Sequence, residues 1–113
     1  MFGTVGMLML AAGSPSAPTY LRCVNTDGEW SLEVEMSLDE RGRAATIVMP
    51  SLGRVVSRNA LFSPEEVRIF DEESVWVIDR VTLDLRRDVT IGDKKSTTSG
   101  KCQLKPAPAK RAF

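Results

Sequence analysis

The chain has 113 residues, with 15 basic and 15 acidic side chains and no histidine. A chain of this length forms one domain, and a formal charge of zero lacks the basic surplus of a nucleic-acid-binding domain. The lack of histidine removes the most common general base and the most common metal ligand. We therefore expect a single domain with no nucleic-acid partner, no cofactor and no metal.

Residues 1–17 have the pattern of a secretory signal peptide. An apolar run at residues 5–12 is followed by small residues and prolines from Gly13 to Pro18, as in cleaved leaders. The run is too short for a bilayer-spanning helix, which takes about 20 apolar residues. No Lys or Arg precedes it, so either the α-amino group supplies the only positive charge or the true start lies upstream. We expect a periplasmic or secreted protein without a transmembrane segment. A cytosolic protein with a disordered or buried N-terminus is the alternative.

Two cysteines, Cys23 and Cys102, are predicted to form a disulfide. In an oxidising compartment an even number of cysteines indicates disulfides, and two cysteines allow one pairing, with a separation of 102 − 23 = 79 residues. The chain-entropy model assigns roughly 4.5 kcal/mol to a loop of this length. Two buried free thiols are the alternative, and it is tied to a cytosolic location.

The clearest local pattern is an alternation of apolar and polar residues over positions 30–38. This period of two predicts a half-buried strand, with Trp30 in the core because it is in phase with the apolar residues that follow. Residues 39–42 are predicted to form a turn, and residues 44–49 the return strand. In that register Val34 lies opposite Ile47, whereas a slip by one residue would expose Ile47.

Further short strands complete the predicted domain, residues 18–104. They lie at residues 54–58, 67–70, 74–78, 82–89 and 101–104, with a polar loop at 94–100. Short strands at spacings of about 8–12 residues indicate an all-β fold, a small antiparallel β-barrel or sandwich of about seven or eight strands. Residues 105–113 contain two prolines and three basic residues and are predicted to be a disordered basic tail.

Two parts of the chain are candidate partner contacts. Trp76 is in phase with Ile78 but out of phase with its immediate neighbours; the preferred interpretation buries it, and the other exposes it to a partner. In the tail, Lys110, Arg111 and Phe113 form a cationic and aromatic end. That end is either a solubilising terminus without a partner or an element that orders on an acidic or aromatic surface.

The acidic residues are better explained by the surface of a sheet than by chemistry. Glu33 and Glu35 lie on the polar face of the strand at 30–38 with Glu29 just before it, and a solvated face with cross-strand pairs is favoured over a calcium site. Asp79 and Arg80 are adjacent, which favours a salt bridge within a turn over a catalytic pair. No catalytic residue is assigned, because a site without histidine or free cysteine would have to rest on carboxylates alone.

Three segments carry a resemblance to known proteins. Residues 19–23 (Thr-Tyr-Leu-Arg-Cys), 99–103 (Ser-Gly-Lys-Cys-Gln) and 110–113 (Lys-Arg-Ala-Phe) resemble small uncharacterised exported proteins of Gram-negative bacteria, a group that implies no activity. The terminal disulfide is also similar to that of the c-type lysozyme inhibitors, which are small β-barrels. Their inhibitory motif Ser-Gly-x-x-Tyr is missing, because Ser99-Gly100-Lys101-Cys102 is followed by Gln103 and the only tyrosine of the chain is Tyr20.

The function predicted from these features is that of an exported, non-enzymatic, monomeric β-domain that binds an unknown protein or small ligand. The first hypothesis is a protein-interaction module that uses an edge strand or the basic tail. The alternative is a small-ligand-binding or inhibitor β-barrel with a pocket at one end. An exposed apolar patch or an open edge would favour the first, and an apolar pocket with convergent polar groups the second.

Overall fold

The computed structural model describes residues 17–106, which form a closed antiparallel barrel of eight strands. The strands are β1 (Thr19–Asp27), β2 (Trp30–Asp39), β3 (Ala44–Met49), β4 (Arg54–Phe62), β5 (Glu66–Asp71), β6 (Ser74–Asp79), β7 (Asp84–Ile91) and β8 (Lys94–Lys105). Each strand pairs with its neighbours in sequence, and β8 returns to pair with β1. The all-β prediction is confirmed, and the barrel is selected over the sandwich. The predicted leader apart from Ala17, and the tail beyond Pro106, lie outside the described residues.

Alternate side chains of the strands point into the barrel and fill it. The buried cluster consists of Leu21, Cys23, Leu32, Val34, Met36, Leu38, Ala45, Ile47, Met49, Ala60, Val67, Ile69, Trp76, Ile78, Leu85 and Cys102. An eight-stranded barrel is just wide enough for inward side chains to occupy its interior. The period-two pattern read from β2 and β3 also holds in β1 and β5.

The hairpin of β2 and β3 has the predicted faces but a different pairing. Val34 and Ile47 are both buried, yet Met36 lies opposite Ile47 and Leu38 opposite Ala45. The prediction that Val34 lies opposite Ile47 is wrong by two residues. The loop closes one residue later than predicted, at the Asp39–Ala44 pair. A shift by two keeps every side chain on its original face, so the apolar pattern cannot detect it.

Trp30 is not in the core, contrary to the prediction. It is the first residue of β2, directly after a turn in which Gly28 has a φ of 64°, and 55% of its surface is exposed. Trp30 is in phase with the buried residues of β2, but it lies at the end of the barrel. Its partner in the pairing of β1 with β2 is Asp27, the last residue of β1. Phase determines the direction of a side chain, while burial also requires neighbouring elements to cover it.

The predicted polar loop at residues 94–100 is instead the first half of β8. Ile91 pairs with Lys94 across a two-residue turn at Gly92 and Asp93, and Gly92 has the positive φ of 62° that such a turn requires. The ladder continues from Lys95 to Gly100 against β7. The first four side chains of β8 are all exposed, so this part of the strand has no apolar alternation to reveal it.

The predicted disulfide is present, and it joins the two strands that close the barrel. Cys23 in β1 lies directly opposite Cys102 in β8, and their sulfur atoms are bonded. Gly100 lies opposite Asn25 in the same ladder, and a Cβ atom there would overlap the carbonyl of Val24. The close approach of β1 and β8 therefore depends on a glycine at this position. The sequence analysis had assigned no strand to residues 19–27.

Candidate functional site

One end of the barrel opens into a cavity of about 420 Å³ that has both apolar and polar surface. This end, which we call the mouth, is built from the first residues of β1 and β5 and the last residues of β2, β4, β6 and β8. Its apolar lining consists of Ala17, Leu21, Leu38, Phe62, Val67, Ile78, Val81, Leu83 and Leu104. Cavities of about 300–1,000 Å³ lined mainly by apolar side chains are typical of small-molecule sites.

The cavity is graded from a buried floor to an exposed rim. Leu38 and Ile78 are buried, and Phe62 and Leu83 are half-buried and pack against the core. At the rim, Val81 and Leu104 are 83% and 67% exposed. A molecule that entered the mouth would therefore contact apolar side chains along its full depth.

Arg80 connects three of the loops around the mouth. Its Nη2 lies 3.0 Å from Oε1 of Glu40, in the β2–β3 loop. Its Nη1 donates a hydrogen bond of 2.8 Å to the backbone carbonyl of Ser63, in the β4–β5 loop. The predicted pair between Asp79 and Arg80 is wrong, because the guanidinium is directed across the mouth instead. The pair with Glu40 places polar groups of both signs beside the apolar lining.

The loop that carries Arg80 is shaped by the carboxylate of Asp79. This carboxylate accepts hydrogen bonds from the backbone N–H groups of Thr82 and Val81, at 2.9 and 2.8 Å, and these bonds lower the pKa of Asp79. Leu83 follows with a φ of 65°, a conformation that non-glycine residues rarely adopt. Its backbone carbonyl accepts the N–H of Cys102 at 2.9 Å, which holds the end of the loop against β8.

No family model, curated protein or solved structure matches this chain.

The function is therefore inferred from the geometry of the described residues. Of the candidate site residues, Cys23 and Cys102 form the disulfide. Trp76 is fully buried in the core, so the preferred interpretation is confirmed, and its indole is not on the outer surface. Lys110, Arg111 and Phe113, the candidate contacts of the tail, lie outside the described residues.

The acidic residues of β2 form surface ion pairs with neighbouring strands. Glu33 lies 2.7 Å from Nε of Arg22 in β1, and Glu35 lies 3.1 Å from Nζ of Lys105 in β8. Both bonds join partly exposed side chains, in agreement with the favoured solvated face. Within residues 17–106, no group of three or more histidine, cysteine, aspartate or glutamate side chains is placed to hold a metal ion. In the same range no helix is long and apolar enough to cross a membrane.

The mouth could not be found from the sequence. Its lining comes from six separate places in the chain, and no short motif marks them. Leu21 lies in β1, which was not predicted, and Leu83 was placed only within the strand predicted at residues 82–89. Arg80 and Glu40 are 40 residues apart. The only available signal was the even spacing of strands, which indicates a barrel or sandwich but not which end is open.

Away from the mouth, a buried ion pair joins β4 and β5. Arg58 Nε donates a hydrogen bond of 2.7 Å to Oδ1 of Asp71, whose side chain is almost fully buried. Burial opposes ionisation of Asp71, but the hydrogen bonds from Arg58 and from the N–H of Glu72, with the charges of Arg58 and Arg54, outweigh it and lower the pKa of Asp71.

Asp71→Asn is expected to lower stability near neutral pH and to have much less effect in acid. A carboxyl group with a lowered pKa stabilises the fold above its ordinary value of about 3.9, and this contribution is lost as the pH falls through the folded-state value. Near pH 7 we expect a loss of about 2 kcal/mol, because Arg58 keeps its charge without a partner. As the pH falls from its ordinary pKa of about 3.9 through the lower folded-state pKa, the carboxyl group of the parent protein is itself increasingly protonated, so the difference should narrow.

Urea unfolding of both proteins across this pH range measures the difference. Asp88→Asn is the matched control, since Asp88 pairs with Arg86 at 3.1 Å on the exposed surface. It should change stability by less than about 1 kcal/mol throughout. An Asp71→Asn loss that stays constant from neutral to acid pH would contradict the assigned role of the ion pair.

Proposed function

We propose that this protein is a ligand-binding β-barrel that takes a small amphipathic molecule into its mouth. The observation that carries the proposal is the cavity of about 420 Å³ lined by apolar side chains, with the pair of Arg80 and Glu40 at its edge. An apolar body would lie against Leu38, Ile78 and Phe62. A polar head would hydrogen-bond at the edge, where Thr19 also contributes to the lining.

The closed fold favours this function over protein binding through a strand edge. Each of the eight described strands pairs with a neighbour on either side, although β4 pairs with β5 only at Ala60, Leu61 and Phe62. Less strand edge is therefore free for an added peptide strand than in an open sheet. Of the two routes to a protein-interaction module, this observation disfavours the strand edge. The other, the tail, rests on residues outside the described part of the chain.

A second candidate function has support at the rim itself. Val81 and Leu104 are large apolar residues with most of their surface exposed, and they continue the apolar lining outwards. A partner protein that inserts one apolar side chain into the mouth would cover them. This would be an inhibitor-like or scaffolding interaction at the same site.

The proposed setting is the periplasm or the exterior of the cell, and the proposed state is a non-enzymatic monomer. The disulfide between Cys23 and Cys102 supports an oxidising compartment, as does the leader-like sequence of residues 1–17. The neutral formal charge supports a ligand other than nucleic acid.

Phe62→Trp is expected to weaken binding at the mouth by about tenfold, which corresponds to 1.4 kcal/mol. Phe62 is a half-buried lining residue, and a larger ring there takes up space that the ligand needs. The neutral fluorescent probe N-phenyl-1-naphthylamine is titrated into the protein, excited away from tryptophan, and then displaced with decanol or decanoate. Saturable binding with displacement by either compound supports the proposal.

Leu61→Trp is the matched control, because Leu61 is the preceding residue of β4 and is exposed on the outside. This variant should bind the probe as the parent protein does. The absence of saturable binding to the parent, or equal weakening by both substitutions, would exclude a small ligand in the mouth. Capture of a protein partner that Phe62→Trp but not Leu61→Trp abolishes would instead favour the second candidate.

A further inference from the structure

The barrel interior away from the mouth contains a row of polar side chains on neighbouring strands. Trp76 in β6 lies directly opposite Arg87 in β7, and Arg87 lies opposite Thr98 in β8. The Nδ2 of Asn25 in β1 donates a hydrogen bond of 3.0 Å to Oγ1 of Thr98. The row therefore crosses four consecutive strands, with the apolar residues Ile78 and Leu85 between it and the mouth.

Three polar atoms of this row are buried without a hydrogen-bond partner among the described residues. They are Nε1 of Trp76, Nε of Arg87 and Oδ1 of Asn25. Trp76 and Asn25 are 0% and 2% exposed, so the indole of Trp76 and the amide of Asn25 are almost fully enclosed. A buried polar group without a partner is costly, and native proteins contain few of them. Two unpartnered N–H donors on directly paired residues are therefore a feature that an acceptor would satisfy.

Among the described residues, the carboxylates near the end of the barrel opposite the mouth pair with other arginines and leave Arg87 without an ion-pair partner. Arg58 is paired with Asp71 at 2.7 Å, and Arg54 lies 3.9 Å from Glu72. Within residues 17–106, Arg87 takes part in no ion pair. Its guanidinium carbon lies instead 4.5 Å from the ring centroid of Trp76, which stabilises the cation but leaves its Nε–H donor unused.

A bound anion would offset the cost of burying the charge of Arg87. Burial lowers the pKa of its guanidinium, the charge of Asp71 opposes this effect, and the charge of Arg54 adds to it. Arg87 as a whole is half-buried, while its Nε is enclosed.

We propose that Arg87 and Trp76 form a second binding site, which takes a small oxyanion such as a carboxylate or phosphate. Guanidinium groups bind these anions by charge-assisted hydrogen bonds. One oxygen would accept the N–H of Arg87 and another the indole N–H of Trp76. Oδ1 of Asn25 would accept a hydroxyl of the same ligand. This site is separate from the mouth and does not depend on the function proposed there.

The two tryptophans of the chain, Trp30 and Trp76, allow a direct test by NMR spectroscopy. The indole N–H signals of ¹⁵N-labelled protein are followed while phosphate, or separately acetate, replaces chloride at constant ionic strength. We expect the indole signal of Trp76 to shift saturably, together with the Nε–H signal of Arg87. The signal of Trp30, which is exposed, should stay nearly constant. A shift with phosphate alone, acetate alone or both supports the site and identifies its ligand class.

Variants with matched charge changes complete the test. Arg87→Gln should weaken the anion-dependent shift of Trp76 at least about tenfold. Arg86→Gln should retain it, because Arg86 is the exposed neighbour that pairs with Asp88. The titration of the parent protein decides the matter even if Arg87→Gln folds poorly. No saturable shift of Trp76 with either anion, or an equal loss of the shift in both variants, would overturn the proposal.

Discussion

Val34→Asp is expected to prevent the protein from folding. Val34 has none of its surface exposed and lies within the apolar cluster of the barrel, so an aspartate there would place an unpaired charge among hydrocarbon side chains. The cost of several kcal/mol is comparable with the whole stability of a small domain, about 5–15 kcal/mol. Far-UV circular dichroism and the dispersion of amide NMR signals should show an unfolded chain.

Glu33→Ala is the matched control at the preceding position. Glu33 points outwards and pairs with Arg22 at 2.7 Å, with both side chains partly exposed. Surface pairs of this kind contribute less than about 1 kcal/mol, so the variant should fold normally. Similar losses of stability for the two substitutions would contradict the assignment of inner and outer faces in β2.

Replacing both cysteines with alanine is expected to lower the free energy of unfolding by roughly 4.5 kcal/mol. The bond between Cys23 and Cys102 closes a loop with a sequence separation of 79 residues. In the chain-entropy model this crosslink removes conformational entropy from the unfolded chain, which stabilises the fold by that amount. In a domain of this length burial alone stabilises the fold only marginally. Urea unfolding of the oxidised parent and of the double variant gives the difference directly.

Reduction of the parent protein provides the control for that experiment. Dithiothreitol breaks the bond but leaves both side chains in place, so it separates the crosslink from the packing of the buried sulfur atoms. The reduced parent and the double variant should have similar stabilities. A change below about 1 kcal/mol in either would show that pairing of β1 with β8 holds the barrel closed without the crosslink.

The sequence by itself determined those features that depend on short-range patterns or on counting. The inner and outer faces of β2 and β3 followed from a period of two. The breaks between the strands at residues 44–49 and 54–58, and between those at 67–70 and 74–78, followed from residues that break strands or favour turns. The disulfide followed from a cysteine count that allows one pairing. The first half of β8 was missed because its exposed residues carry no apolar alternation.

The tertiary structure alone decided which distant residues meet. Strand alternation is unchanged by a shift of two residues, so only the closed ladder settled that Met36 lies opposite Ile47. Trp30 has the phase of a core residue, yet it lies where no neighbouring element covers it. Arg80 pairs with Glu40 across 40 residues of sequence, whereas Arg87 forms no ion pair with any residue in 17–106, because Asp71 pairs with Arg58 and Glu72 with Arg54. Burial and charge pairing depend on what surrounds a side chain in space, and closure of the barrel is the step that creates those surroundings.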